Sequence, residues 1–248
     1  MAVKSAPLLA HRGYAARYPE NTLLSLSRAI EGGLPAVEFD LQLSADRIAV
    51  LMHDASLLRT CGTDDFVWNL DVEALCGLSA SEPARLGNEF QGEPVPRLAD
   101  VVALLSQHPE VTVFAEVKKE SVAHFGMEAV LDAVLPTLAP LTDAGNPWVV
   151  ISFVESVLRE VRERACVPIG WCVADYNDSS RDVATALAPD YLLTNHLHVP
   201  DGDQLWPGAW KWVIYEVVDP TLARGLLGQG ADIIETMDPP ALNWGELA

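Results

Sequence analysis

The segment Ala36-Val37-Glu38-Phe39-Asp40-Leu41-Gln42-Leu43-Ser44-Ala45-Asp46-Arg47-Ile48-Ala49-Val50-Leu51-Met52-His53 decides the fold. Its two apolar runs, 36–43 and 48–53, are separated only by the polar turn 44–47. A parallel crossover needs a dozen or more residues, so these runs must pair as an antiparallel hairpin. With Ala45 and Asp46 as the two turn residues, His53 faces Glu38.

Outward from this hairpin, the chain alternates. Runs at 8–11, 36–40, 111–117, 148–152, 168–173, 191–194, 212–217 and 232–235 are bounded by Gly, Pro, Asn or Asp, and several are rich in β-branched residues, so they read as strands. Helical patterns at 20–31, 98–107, 121–138, 154–165, 179–187 and 220–227 lie between most of them. Pro19 stands near the start of the first helix, and Gly32 and Gly33 end it. Strand–helix alternation means parallel βαβ units. The eight runs predict a closed (β/α)₈ TIM barrel, within the roughly 250 residues that such barrels take. Residues 54–97 break the pattern with Gly62, Gly77, Pro83, Gly87, Gly92, Pro94 and Pro96. They read as an insertion on the active face rather than a separate core, so the chain is expected to form one domain.

Composition narrows the function. Lys plus Arg is 16 and Asp plus Glu is 35, a formal charge of −19, which argues against a nucleic-acid partner. A small anionic substrate stays open, because a divalent cation can reverse the local sign. The four cysteines form no CxxC pair, which points to reduced thiols in a cytosolic protein. The first ten residues hold too short an apolar run for a leader, and no stretch approaches the ~20 apolar residues of a membrane span. The chain is expected to be soluble and cytoplasmic.

Barrel enzymes place their chemistry at the C-terminal ends of strands. Here those ends carry His11-Arg12-Gly13, Glu38-Phe39-Asp40, His53-Asp54 and Glu116-Val117-Lys118. Residues i and i+2 of a strand share a face, so Glu38 and Asp40 point inward together, as do Glu116 and Lys118. Converging carboxylates repel and lose hydration, and a hard divalent cation, Mg²⁺ or Ca²⁺, relieves both. A structural ion pair would explain one such pair; two at strand ends favour a metal site. His11 and His53 suit proton transfer near neutral pH, and Arg12 offers a guanidinium fork for a phosphate. His108 and His124 fall in or beside helical stretches and read as solvated. His196 and His198 have metal-pair spacing but no further ligand nearby; His196 follows a strand and is a weak candidate for the pocket wall.

In this order, these residues resemble the glycerophosphodiester phosphodiesterase family, and its short cytosolic bacterial members in length. The matching stretches are His11-Arg12-Gly13, Pro19-Glu20-Asn21-Thr22, Val37-Glu38-Phe39-Asp40, His53-Asp54 with Leu57 and Arg59-Thr60, Val95-Pro96-Arg97-Leu98, and Ala115-Glu116-Val117-Lys118. The match is dense in the N-terminal half and thin beyond it. The resemblance implies that Glu38, Asp40 and Glu116 hold Mg²⁺ or Ca²⁺, and that His11 and His53 are general base and general acid. It implies that Arg12 and Lys118 hold the phosphate of a glycerophosphodiester, which is cleaved through a cyclic phosphate to glycerol 3-phosphate and an alcohol. Where the family carries Thr-Val-Asn, this chain reads Tyr215-Glu216-Val217-Val218-Asp219-Pro220, and where it carries Thr-Asp-Arg-Pro, this chain reads Thr236-Met237-Asp238-Pro239. Glu216 is thereby a candidate contact for a cationic head group such as choline or ethanolamine, or else a structural partner of Arg12 or Lys118. The competing readings are a phosphodiesterase acting on lysophospholipids, with Phe66, Trp68, Leu70 and Phe90 forming an acyl groove, and a barrel that binds a phosphodiester without turning it over. An unrelated barrel isomerase or aldolase would need a late Gly-rich phosphate loop, for which Gly228 and Gly230 are a thin basis.

Overall fold

The computed structural model describes residues 8–200, 202 and 204–242. Residues 1–7, most of the stretch read for a leader, lie outside the described residues. Eight parallel strands close into a barrel: β1 (Leu8–Ala10), β2 (Ala36–Leu43), β4 (Thr112–Val117), β5 (Trp148–Ser152), β6 (Ile169–Cys172), β7 (Tyr191–Asn195), β8 (Lys211–Tyr215) and β9 (Ile233–Thr236). Closure comes from β1, which pairs with β9 on one side and with β2 at Ala10↔Val37 on the other. The chain is therefore a (β/α)₈ barrel, as the alternation predicts.

Helices α1 (Leu23–Glu31), α5 (Leu98–Leu105), α6 (Lys119–Phe125), α7 (Met127–Leu138), α8 (Pro140–Ala144), α9 (Glu155–Ala165), α10 (Asp178–Leu187) and α11 (Pro220–Gly228) lie between the strands. Outward-facing strand residues such as Val37, Phe39, Val113, Ala115 and Ile214 bury against them. The alternate residues Leu9, Ala36, Phe114, Val149, Ile151, Cys172, Leu193 and Val213 fill the barrel interior. Burying such a side chain fully stabilises the fold by ~1.5–3 kcal/mol. Gly170 leaves room inside: a Cβ there would sit 2.7 Å from Ile151 and 2.9 Å from Leu193.

Four expectations are corrected. β3 (Ala49–Leu51) pairs antiparallel with β2 as predicted, but in the register Leu41↔Leu51, Gln42↔Val50, Leu43↔Ala49, one residue away from the one that set His53 against Glu38. The turn has three residues, with Ser44 N–H bonded to the Ile48 carbonyl and Arg47 at φ 61°. A left-handed third residue is the usual close of such loops. The helix read at 121–138 is two helices, because Gly126 at φ +83° interrupts it. The first helix, read from residue 20, starts at Leu23 with Thr22 as its N-cap, and the Pro19 carbonyl accepts from the Thr22 hydroxyl. The insertion, with α2 (Leu58–Cys61), α3 (Val72–Cys76) and α4 (Pro83–Leu86), does carry a small core of its own, in which Leu57, Val67, Val72, Leu75, Ala80 and Val95 pack with Val50 and Met52 of the hairpin.

Candidate active site

A cavity of about 210 Å³ opens at the C-terminal end of the barrel, and the strand ends bring six of the predicted residues to its wall: His11, Arg12, Glu38, His53, Glu116 and Lys118. Glu216 joins them at the rim. Asp40 lies just behind the wall, 1% exposed, beside its register partner Glu116.

The first wall is made by the turn after β1. Arg12 and Gly13 take φ 55° and 79°, so the chain reverses sharply and lies against the start of α1. A Cβ on Gly13 would approach the Ser25 carbonyl carbon to 2.5 Å, so only glycine fits. The turn aims the Arg12 amide at Glu38 Oε2, 3.0 Å away, and its guanidinium at Asp40 Oδ2 and Glu20 Oε1. α1 then starts from a capping box in which Thr22 and Ser25 exchange bonds. That fixes Asn21, whose side-chain amide donates to Asp40 Oδ2 at 2.8 Å and whose Oδ1 accepts from the Asp40 amide at 3.0 Å.

The floor is acidic. Glu38, Asp40 and Glu116 each place a carboxylate oxygen within 4.8 Å of the others. Lys118 Nζ bridges Asp40 (3.2 Å) and Glu116 (2.8 Å). Against the effect of its burial, Arg12 and Lys118 hold Asp40 well below the usual carboxylate range. Burial and the Asp40 charge push Glu116 up to about 7 and raise Glu38 well above its ordinary value. Glu38 Oε1 is buried without a hydrogen-bond partner. Three carboxylates so placed, with an unsatisfied oxygen among them, have the chemistry of a hard divalent-cation site.

The histidines stand in different surroundings. His11 is buried, its Nδ1 has no partner, and its Nε2 lies 4.0 Å from Glu38. Burial and then Arg12 lower its pKa well below the ordinary value, so at neutral pH it carries a free lone pair. His53 is half-buried, with Nδ1 2.6 Å from Asp54 Oδ1. Arg59 holds Asp54 from the other side and reaches both oxygens of Glu20. Although burial opposes it, bonds from Arg59 and His53 bring Asp54 down to about 2. The ionised Asp54 fixes the His53 ring with Nδ1 protonated.

The run read as a strand over 212–217 is two residues shorter at its C-terminal end. The strand ends at Tyr215, and Glu216 takes φ 63°. It is exposed and accepts from Asn195 Nδ2 at 2.6 Å; it pairs with neither Arg12 nor Lys118. Ile214 belongs to the core under the helices, and Tyr215 and Glu216 both line the pocket. The cavity wall also holds Tyr215, Asn195, Cys172 and Glu235, none of them assigned a role from the sequence. Glu235 had a usable signal: it ends the run read as a strand over 232–235, two residues after the inward-facing Ile233. Neither His196 nor His198 is on the wall. His124 is exposed and stacks on Trp68. Phe66 stacks on that Trp68, Phe90 packs on Tyr18, and Leu70 joins the insertion's small core; none of the four insertion residues lines the cavity.

A closed barrel with carboxylates, two histidines and two cations at the C-terminal mouth defines a class of phosphoester-handling barrels. Residues 11–236 match the profile of the glycerophosphoryl diester phosphodiesterase family, and the chain belongs to that family. The human protein glycerophosphodiester phosphodiesterase 1 is 30% identical over 211 residues, 85% of this chain and 56% of that protein. A glycerophosphodiester phosphodiesterase of Caldanaerobacter subterraneus is 34% identical over 121 residues, 49% of each chain. The chain thus spans about half the length of the curated relatives it matches. Among solved structures, an Oleispira antarctica phosphodiesterase in complex with the product sn-glycerol-3-phosphate superposes with a TM-score of 0.84 at 25% identity, over 96% of this chain and 95% of that one. The Thermotoga maritima glycerophosphodiester phosphodiesterase, at 21% identity and TM-score 0.71, shares the fold over 99% of this chain and 100% of that one.

Proposed function

We propose that this chain is a single catalytic domain that hydrolyses glycerophosphodiesters to glycerol 3-phosphate and an alcohol, with a divalent ion held by Glu38, Asp40 and Glu116. The observation that carries the reading is the pairing, in one cavity, of a buried neutral His11 with a carboxylate-anchored His53 above three converging carboxylates. The product named for the Oleispira antarctica structure supports the same choice of substrate. No helix among the described residues is long and apolar enough to cross a membrane, and we propose that the protein works in the cytoplasm on water-soluble diesters.

A bound divalent ion would neutralise charge on the non-bridging phosphate oxygens. Arg12 and Lys118 add donors to the same face of the phosphate. His11 takes the proton of the glycerol 2-hydroxyl, whose oxygen forms a bond to phosphorus as the bond to the alcohol oxygen breaks. His53, oriented by Asp54, gives its proton to that alcohol oxygen. In the second half His53 takes a proton from water, which opens the cyclic phosphate, and His11 returns its proton to the 2-oxygen. The 2-deoxy analogue of a glycerophosphodiester tests this route. It is expected to bind and not turn over; normal turnover would show that water attacks phosphorus directly.

Metal uptake has a pH signature. Glu116, with a folded pKa of about 7 against 4.5 unfolded, holds its proton in the metal-free protein through that window. The unfolded chain ionises there while the folded one keeps its proton, so metal-free stability falls as pH rises from 4.5 to about 7. A bound cation removes that penalty, so the rise in Tm caused by Mg²⁺ or Ca²⁺ is expected to grow across this window. A metal-induced Tm shift that is flat from pH 5 to 8 would contradict the carboxylate ligands.

At the rim, Glu216 has only the neutral Asn195 as its side-chain partner among the described residues, which leaves its charge for a cation on the leaving alcohol. Glu216→Gln is expected to lower kcat/KM for glycerophosphocholine and glycerophosphoethanolamine, but not for an ester of an uncharged alcohol. An equal loss on all three would place Glu216 in support of the phosphate site instead.

A further inference from the structure

One buried carboxylate of the cavity has no part in this chemistry. Glu235, the penultimate residue of β9, turns its side chain inward and is 2% exposed. The two cations of the pocket are engaged elsewhere, Arg12 with Glu20 and Asp40, Lys118 with Asp40 and Glu116. No ion pair among the described residues involves Glu235. A buried carboxylate is costly unless it is neutralised, paired or coordinated to a metal.

Facing Glu235 are His11 and Glu38. One donor atom from each of the three lies within 4.8 Å of the other two. His11 and Glu38 are 7% and 1% exposed, and each has a buried atom without a partner, Nδ1 in one and Oε1 in the other. The three donors come from neighbouring strands. β9 and β1 are locked by the register Leu9↔Glu235, the His11 amide bonds the Thr236 carbonyl at 2.9 Å, and β1 meets β2 at Ala10↔Val37. Tetrahedral zinc with bonds near ~2.1 Å sets its ligand atoms ~3.4 Å apart, so side-chain movements of about an ångström close this set on an ion. One imidazole and two carboxylates suit a borderline ion better than Mg²⁺ or Ca²⁺, which take oxygen ligands.

We propose that His11, Glu38 and Glu235 form a second cation site, for a borderline divalent ion such as Zn²⁺, sharing Glu38 with the Glu38–Asp40–Glu116 group. The inference rests on the reading of His11 as the base and of the carboxylate group as the seat of the working ion. A neutral imidazole has one nitrogen lone pair. Coordination uses it, so an ion in the second site prevents His11 from taking a proton. The second ion inhibits.

The test titrates the Mg²⁺-saturated enzyme with Zn²⁺ and measures bound zinc by equilibrium dialysis and turnover in the same samples. One Zn²⁺ per chain is expected to bind without displacing Mg²⁺, with turnover falling in step. Glu235→Gln keeps the size of the side chain and is expected to weaken zinc binding at least ~10-fold. Equal zinc affinity in both proteins, zinc that only displaces Mg²⁺, or no zinc bound would overturn the site. Anomalous diffraction at the zinc edge decides without a variant. A peak between His11, Glu38 and Glu235 is expected, and a peak only among Glu38, Asp40 and Glu116 overturns the proposal. Absence of Mg²⁺-dependent turnover would count against the proposed function, while the zinc count and peak position would still decide this site.

Discussion

Alanine at His11 or at His53 is expected to lower kcat at least ~10²-fold, the lower range for loss of a general acid or base. The two variants should part company on leaving group. A nitrophenyl phosphodiester needs little protonation of its departing oxygen, so it should rescue the variant that lacks the acid. The structure favours His53 for that role, because Asp54 Oδ1 stands 2.6 Å from its Nδ1 and is itself held ionised by Arg59. A carboxylate there holds the ring by its Nδ1–H and so fixes the orientation of the other nitrogen, the one an acid must use. His11, buried and driven toward the neutral form, suits the base. Rescue of His11→Ala and not of His53→Ala would reverse the assignment.

Asp40→Asn is expected to have an effect as large, at least ~10²-fold in turnover at fixed Mg²⁺, and to weaken metal binding by more than the ~10–100-fold of an outer-shell change. Asp40 is the hub of the site. It accepts a hydrogen bond from Asn21 and forms ion pairs with Arg12 and Lys118, which hold it well below the usual carboxylate range despite its burial. The amide keeps the shape and removes the charge. It also leaves Arg12 and Lys118 with less counter-charge in a buried site, which destabilises the fold. Isothermal titration with Mg²⁺, beside a thermal melt, separates lost metal affinity from lost stability. Undiminished Mg²⁺ affinity in a folded Asp40→Asn protein would remove Asp40 from the ligand set.

The barrel was legible because its strands are short apolar runs between breakers, and the hairpin because the turn at 44–47 is too short for a crossover. Its register slipped because Arg47 takes a left-handed conformation that loops of this length usually give to glycine. Gly126 is a single glycine in a helical pattern, a weak breaker by sequence, yet here it sits at φ +83° between two helices. The carboxylates and histidines were legible from i, i+2 spacing at strand ends. The end of β8 was read at Val217 and lies at Tyr215, because Glu216 is a left-handed residue that no Gly or Asn announces. Glu235 was passed over because its run reads as an ordinary apolar strand, although the strand-end test used for Glu38 applies equally to it. The ties of Glu20 and Asn21 to Arg12, Asp40 and Arg59 join elements far apart in the chain, and only the folded backbone brings them together.

The central claim is that buried carboxylates, through a divalent ion, let this pocket cleave a glycerophosphodiester. Glycerol 3-phosphate release from glycerophosphocholine and glycerophosphoethanolamine, measured after exhaustive EDTA treatment and again after addition of Mg²⁺, Ca²⁺ or Mn²⁺, tests it most directly. The expected result is no release in the chelated protein and recovery with a hard divalent ion. Full release from the chelated protein, or none under any metal, would contradict it.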